Sequence, residues 1–131
     1  MMILLAIAGL AVDIGRMYVI KGELQAFADA AALSEARELD GTDAGNTRAR
    51  ETAASLAQGP SAMKWDMGTQ TITDIASTFD NKDGQRTARV TVTAPAPLIF
   101  LRAFQSVASD FSTVAASSVA VKTPQAARLI Q

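Results

Sequence analysis

The chain has 131 residues, 49% of them hydrophobic, with twelve basic and thirteen acidic side chains and a formal net charge of −1. This length allows one domain, and the charges include no basic patch of the kind that nucleic-acid binding requires. The absence of cysteine and histidine excludes disulfides, Ser-His or Cys-His catalysis and most zinc sites. We therefore predict no enzyme activity, no cofactor, no metal and no nucleic-acid partner.

The chain opens with an apolar stretch that stops short of a membrane span. Residues 1–12 have no polar side chain and would make about 18 Å of helix, whereas a span needs about 20 apolar residues. Extending the helix over residues 1–20 gives about 30 Å, but places Asp13 and Arg16 inside it. At i, i+3 spacing these two side chains can neutralise each other. We predict a charge pair between them, within one subunit or between neighbours.

Helical periodicity continues beyond this stretch. An apolar stripe is formed by Met17, Ile20, Leu24, Phe27 and Ala31. The pattern predicts one helix that ends near Leu39, because Gly41 follows as a natural terminator. Its residues 1–20 are apolar all round and its residues 21–40 are amphipathic. Residues 41–131 are predicted to form a globular head.

Small residues are frequent in the apolar half. Ala8, Ala11, Gly15 and Gly22 lie near one helical face. Alanine simply favours helices, but glycine does not, so Gly9, Gly15 and Gly22 indicate either close helix packing or local bending, of which we favour packing. The predicted subunit-packing surface comprises Met1, Ile3, Leu4, Leu5, Ile7, Ala8, Leu10, Ala11, Val12, Ile14, Gly15 and Tyr18.

The next 50 residues predict a short helix and a hairpin. Asn46 or Thr47 is expected to cap a helix that ends at Gly59-Pro60, with Trp65 beyond it as a core or lid residue. Residues 70–79 predict a strand, with a bulge where Ile72 and Ile75 break the alternation. Residues 86–94 alternate cleanly and predict a second, half-buried strand.

The loop DNKDGQ between these strands has part of the pattern of a calcium site. Asn81 and Asp83 have EF-hand spacing before Gly84. Phe79, however, occupies the first ligand position and no glutamate closes the loop. A hairpin turn is the better interpretation.

The last segments predict another short helix, beginning at Pro97, and a strand over residues 110–122. One face of that strand is predicted to carry Phe111, Thr113, Ala115, Ser117, Val119 and Val121. The large apolar side chains of that helix either pack on the sheet or form a subunit contact, and the sequence leaves both open; they are Leu98, Ile99, Phe100, Leu101 and Phe104. The order of elements predicts an α+β fold, with one long N-terminal helix packed on a small antiparallel sheet and one or two short helices.

Residues 4–36, LLAIAGLAVDIGRMYVIKGELQAFADAAALSEA, resemble the N-terminal segment of the TadE/TadG-like, Flp-type (tight-adherence) pilus-assembly proteins. That family has an apolar run, then GLAVD-GR, then LQ-AADAAAL. The strings GLAVD, GR, LQ and ADAAAL match at residues 9–13, 15–16, 24–25 and 28–33. The match covers about a quarter of the chain, and the later order of elements is also similar to the family's pilin-like domain.

The resemblance implies a type IV pilin-like structural subunit. Such a protein is held in the inner membrane by its apolar half-helix and then built into an extracellular bacterial filament, a helical homopolymer, with the pilus-assembly machinery as partner. A membrane-anchored minor pilin or assembly factor that initiates the pilus is the alternative, and a secreted enzyme with an uncut signal is a remote one. Leu5 stands where type IV pilins usually carry a glutamate, and no charged segment precedes the apolar run. From the missing charged segment we expect a mature, cleaved chain. For Leu5 we expect either that the numbering is not that of the mature chain or that the subunit assembles without that glutamate.

Overall fold

The computed structural model describes residues 1–58, 72–96, 98–101 and 113–123. Two helices and three strands follow in chain order: α1 Met2–Glu38, α2 Asp43–Ala57, β1 Asp74–Lys82, β2 Gln85–Pro95 and β3 Thr113–Lys122. The strands form an antiparallel sheet in the order β1-β2-β3. Helix α1 packs on β2 and β3, and α2 packs against α1. The predicted α+β fold, a long N-terminal helix on a small antiparallel sheet, is confirmed.

Helix α1 has two environments, as its sequence predicts. Side chains of its second half form the core with the sheet, where Leu24 and Phe27 are fully buried against Val90 and Val92. The helix ends at Glu38, one residue before the predicted end. There the Lys122 ammonium group donates hydrogen bonds to the carbonyls of Arg37 and Leu39, at 2.7 and 2.9 Å. A cation at this end also offsets the negative pole of the helix dipole.

Helix α2 begins earlier than predicted. Its N-cap is Thr42, whose Oγ1 accepts the Gly45 N–H at 3.0 Å, so the predicted cap at Asn46 or Thr47 is wrong. Asp40 accepts two hydrogen bonds from Thr42, one from the hydroxyl and one from the backbone N–H, and another from Arg48. These contacts hold the pKa of Asp40 well below its usual range. A side chain at position 45 would collide with Asp40, which explains the glycine there.

The hairpin between β1 and β2 is confirmed. Asp83 and Gly84 form a two-residue turn with φ of 53° and 78°, the positive values that such turns need. The register runs unbroken from Asp74 opposite Thr93 to Lys82 opposite Gln85. The predicted bulge is therefore wrong: Ile72 breaks the alternation because it precedes the strand.

The sheet has a buried face and an exposed face. Ala88, Val90, Val92 and Ala94 face α1 and are buried. The five residues of β3 predicted to share a face do so, on the exposed side, while Val114 and Ala116 alternate with them and are buried. Trp65, Phe104, most of the short helix predicted after Pro97 and the first residues of the last predicted strand lie outside the described residues.

Candidate functional site: the apolar half-helix and Asp13

The apolar half-helix, residues 1–20, projects from the rest of the described chain with little cover. Apart from Met17 and Ile20, which pack on the core, its large apolar side chains range in exposure from 41% at Val19 to 97% at Met1. Ala8, Ala11 and Gly15 are exposed as well. Every residue of the predicted packing surface is therefore exposed to solvent in the single chain. The helix is long and apolar enough to cross a membrane, and only 17% of its most apolar 18-residue stretch is buried. This low burial distinguishes it from the core helix of a globular protein.

Asp13 is a buried charged residue on this mostly exposed half-helix, and none of its surface is exposed. Its carboxylate accepts three consecutive backbone N–H groups. Ile99 donates to Oδ1 at 3.0 Å, and Phe100 and Leu101 donate to Oδ2 at 2.9 and 2.7 Å. Hydrogen bonds to an ionised acceptor are about twice as strong as neutral ones. We call the Asp13 carboxylate and these three N–H groups the Asp13 site.

Gly9 permits the Asp13 site to form. It lies one turn before Asp13, and Phe100 packs directly over it. A Cβ atom at position 9 would come within 2.5 Å of Cγ and Cδ1 of Phe100, so a larger residue would displace the ring. Nothing lies within 4 Å of a Cβ at Gly15 or Gly22. Gly9 thus allows close packing within the chain, against Phe100. Close helix packing at Gly15 and Gly22 stays a prediction.

Asp13 and Arg16 make no direct ion pair within the chain, and a pair between neighbouring subunits stays a prediction. Within the described residues the ion pairs closer than 4.0 Å are those of Arg48 with Glu38 and Asp40. Arg16 acts on Asp13 through space, and its Nε has no hydrogen-bond partner among the residues described. The physical reason is that three N–H donors already occupy the carboxylate.

Residues 98–101 form a bent segment beside the half-helix. Residues 98–100 are not helical, contrary to the prediction, because the N–H groups of Ile99, Phe100 and Leu101 turn toward Asp13. Leu98 is buried, which fits packing on the head, whereas Ile99 and Phe100 are 56% and 47% exposed. An open apolar groove of about 640 Å³ is lined by Ile3, Leu5, Ala6, Ile7, Leu10, Phe100 and Leu101.

The sequence of α1 places it among known proteins. Residues 1–37 match the family described as "Putative Flp pilus-assembly TadE/G-like". The match covers 37 of the 131 residues, so the chain is similar to this family over its N-terminal helix. This confirms the resemblance predicted from residues 4–36, and the family is of a non-enzymatic kind. No curated protein and no solved structure matches the chain.

The match ends at the C-terminal end of the TadE/G-like helix, so it includes Gly9, Asp13 and Arg16 and leaves out their partners near residue 100. Within the part of the chain that the structure describes, no group of three or more acidic, cysteine or histidine side chains could hold a metal.

Sequence reasoning missed a second buried carboxyl group in the TadE/G-like helix. Glu35 has no exposed surface; Ser77 donates a 2.5 Å hydrogen bond to Oε1, and Oε2 has no partner among the described residues. Burial raises the pKa of Glu35, while the Ser77 hydrogen bond and the Arg50 charge oppose the rise. The signal was present, since Glu35 is the next helical step after Phe27 and Ala31.

Proposed function

We propose that this chain is a structural, pilin-like subunit of an extracellular Flp-type pilus, and that its apolar half-helix holds it in the bacterial inner membrane before assembly. The family match supports involvement in Flp-type pilus assembly, and the apolar helix fits membrane association. The observation that carries the proposal is the exposure of most of the apolar half-helix while the other half is packed on its own sheet.

So large an apolar surface calls for a partner. Soluble monomers rarely expose apolar patches of more than a few hundred Å². Identical subunits in head-to-tail contact form an open helical assembly, in which the half-helices cover one another. The partners in this proposal are copies of the same chain and the assembly machinery.

The Asp13 site supports such packing. A charged side chain in an apolar core is costly when it lacks partners. Asp13 already has three donors and no exposed surface, so neighbouring helices need not supply one. Gly15, with open space around it, allows close approach of helix backbones.

The test compares two equally exposed apolar residues of α1. Ile14 is 55% exposed in the apolar half and Leu33 is 53% exposed in the amphipathic half. Ile14→Asn is expected to reduce filament yield strongly, because it places an amide in the filament core, whereas Leu33→Asn leaves the yield near wild type. Material sheared from the cell surface is examined by negative-stain microscopy and gel electrophoresis.

Each outcome has a distinct meaning. One dominant band of this chain in purified filaments supports the structural subunit. Trace amounts indicate an initiating minor pilin instead. Equal yields from Ile14→Asn and Leu33→Asn contradict a role for the half-helix in the core.

A further inference from the structure

We propose that residues 98–101 are a second membrane contact, which enters the surface of one bilayer leaflet beside the apolar half-helix. This inference rests on the membrane stage of the proposed function and deepens it. It names the lipid bilayer as the occupant of the apolar groove before assembly, and it fixes how deep the chain sits.

The side chains of this segment extend the apolar surface of the helix. Ile99 and Phe100 are about half exposed, and Phe100 lies against Gly9 on the half-helix. Phe100 and Leu101 share the open groove with Leu5, Ile7 and other apolar residues of the helix. A lipid phase that takes up the half-helix therefore meets this segment as part of the same surface.

The backbone of the segment is prepared for an apolar environment. An N–H group without a partner in lipid costs several kcal/mol, so irregular backbone is normally excluded from it. Here three consecutive N–H groups donate to Asp13. The carboxylate that accepts them has no exposed surface, so it does not itself face lipid. Ile99 and Phe100 thus present their side chains outward, while the three N–H groups face inward.

The position of the Asp13 site determines the depth. The 12 residues before Asp13 make about 18 Å of helix, close to one leaflet of a hydrocarbon core about 30 Å thick. With residues 98–101 at the bilayer surface, the apolar residues before Asp13 enter the hydrocarbon core, while Asp13 and Arg16 stay near its edge. A helix inserted as far as Ile20 would instead carry the segment about 10 Å below the surface, together with Asp13 and Arg16.

The experiment uses the full chain, whose lack of cysteine allows single labelling sites. Ile99→Cys, Leu5→Cys and Thr78→Cys are each labelled with an environment-sensitive fluorophore and reconstituted into dilute phosphatidylethanolamine–phosphatidylglycerol vesicles. The vesicles carry nitroxide quenchers on the headgroup or in the middle of the acyl chain. Thr78 is exposed on β1 and serves as the control; Ile99 is largely exposed, so its replacement leaves the core intact.

We expect the label at position 99 to be quenched most by headgroup nitroxide, the label at position 5 most by acyl-chain nitroxide, and the label at position 78 by neither. Quenching at position 99 no greater than at position 78, with position 5 still deep, overturns the second contact and leaves membrane anchoring intact. If acyl-chain nitroxide quenches the label at position 99 more strongly than headgroup nitroxide does, the placement of this segment at the bilayer surface is overturned. No quenching at position 5 rejects the membrane stage itself. Excimer emission from pyrene at position 99, without lipid quenching, assigns the groove to a second copy.

Discussion

Asp13 and Phe100 stand 87 positions apart in the chain, and a 2.9 Å hydrogen bond joins the carboxylate of the first to the backbone N–H of the second. Phe100 makes a second contact with the same helix, because its side chain lies over Gly9, one turn before Asp13. The relationship ties the middle of α1 to a distant part of the head.

Asp13→Ala is expected to lower the free energy of unfolding by about 3 kcal/mol, since three N–H groups lose a charged acceptor. Urea unfolding of the full chain in detergent, followed by circular dichroism, measures the loss. The matched control is Asp29→Ala on the same helix, where an exposed carboxylate accepts one side-chain hydrogen bond from Gln25, and the expected change is below about 0.5 kcal/mol. Arg16→Ala should cost less than Asp13→Ala; an equal cost would mean that the charge pair dominates.

The glycines of α1 should respond oppositely to alanine. At Gly15 a methyl group meets open space, so Gly15→Ala is expected to stabilise the monomer by about 0.5–1 kcal/mol. At Gly9 the same change forces the Phe100 ring off the helix and should cancel or reverse that gain. Thermal unfolding of both variants in detergent decides the matter. If Gly9→Ala were as stabilising as Gly15→Ala, the contact with Phe100 would be unimportant.

Glu35 should make stability depend on pH. Because burial raises its pKa, the folded state holds the proton to higher pH than the unfolded chain does. The stability from this group is full below its unfolded pKa and is lost as the pH rises through the folded pKa. Glu35→Gln should flatten this part of the profile and stabilise the protein at neutral pH. Unfolding midpoints between pH 4 and pH 8 measure it, with Glu51→Gln as the exposed control; a fall in stability for Glu35→Gln at neutral pH would refute the argument.

Lys122→Met should loosen the C-terminal end of α1 by about 1 kcal/mol, because the carbonyls of Arg37 and Leu39 lose their cationic donor. Lys82→Met is the control at the end of β1, where the described residues offer the ammonium group no hydrogen bond. Amide hydrogen exchange at residues 34–38 reports the local loosening. The same exchange rates in both variants would argue against the contact.

Local patterns predicted what depends on local interactions. The period of α1 predicted its end one residue from Glu38, and the Asp83-Gly84 pair predicted the hairpin. The start of α2 was missed because Thr42 lies within DGTDAG, a string typical of loops. Thr42 accepts a hydrogen bond from the Gly45 N–H, and its residue type alone does not predict that it caps the helix.

The partner of Asp13 could not be predicted for a different reason. Backbone N–H groups occur in nearly every residue, so the donors from Ile99 to Leu101 have no sequence signature. Arg16 lies at the favourable spacing, so the sequence indicated a pair that does not form as a direct contact within the chain. A pair between neighbouring subunits stays a prediction. Glu35 could have been found, because an acidic residue on an apolar stripe needs a buried partner.

The Asp13 site also sets an angle. It joins the head to a stretch of helix that runs about 18 Å further to Met1, with Phe100 packed over Gly9 beside it. If the helix tilts by one degree about the Asp13 site, Met1 moves by about 0.3 Å over that length. A tilt of ten degrees moves Met1 by about 3 Å, most of the width of a methyl group. Three hydrogen bonds to one carboxylate thus fix the direction of the apolar helix, and this direction decides where its residues lie among neighbouring subunits.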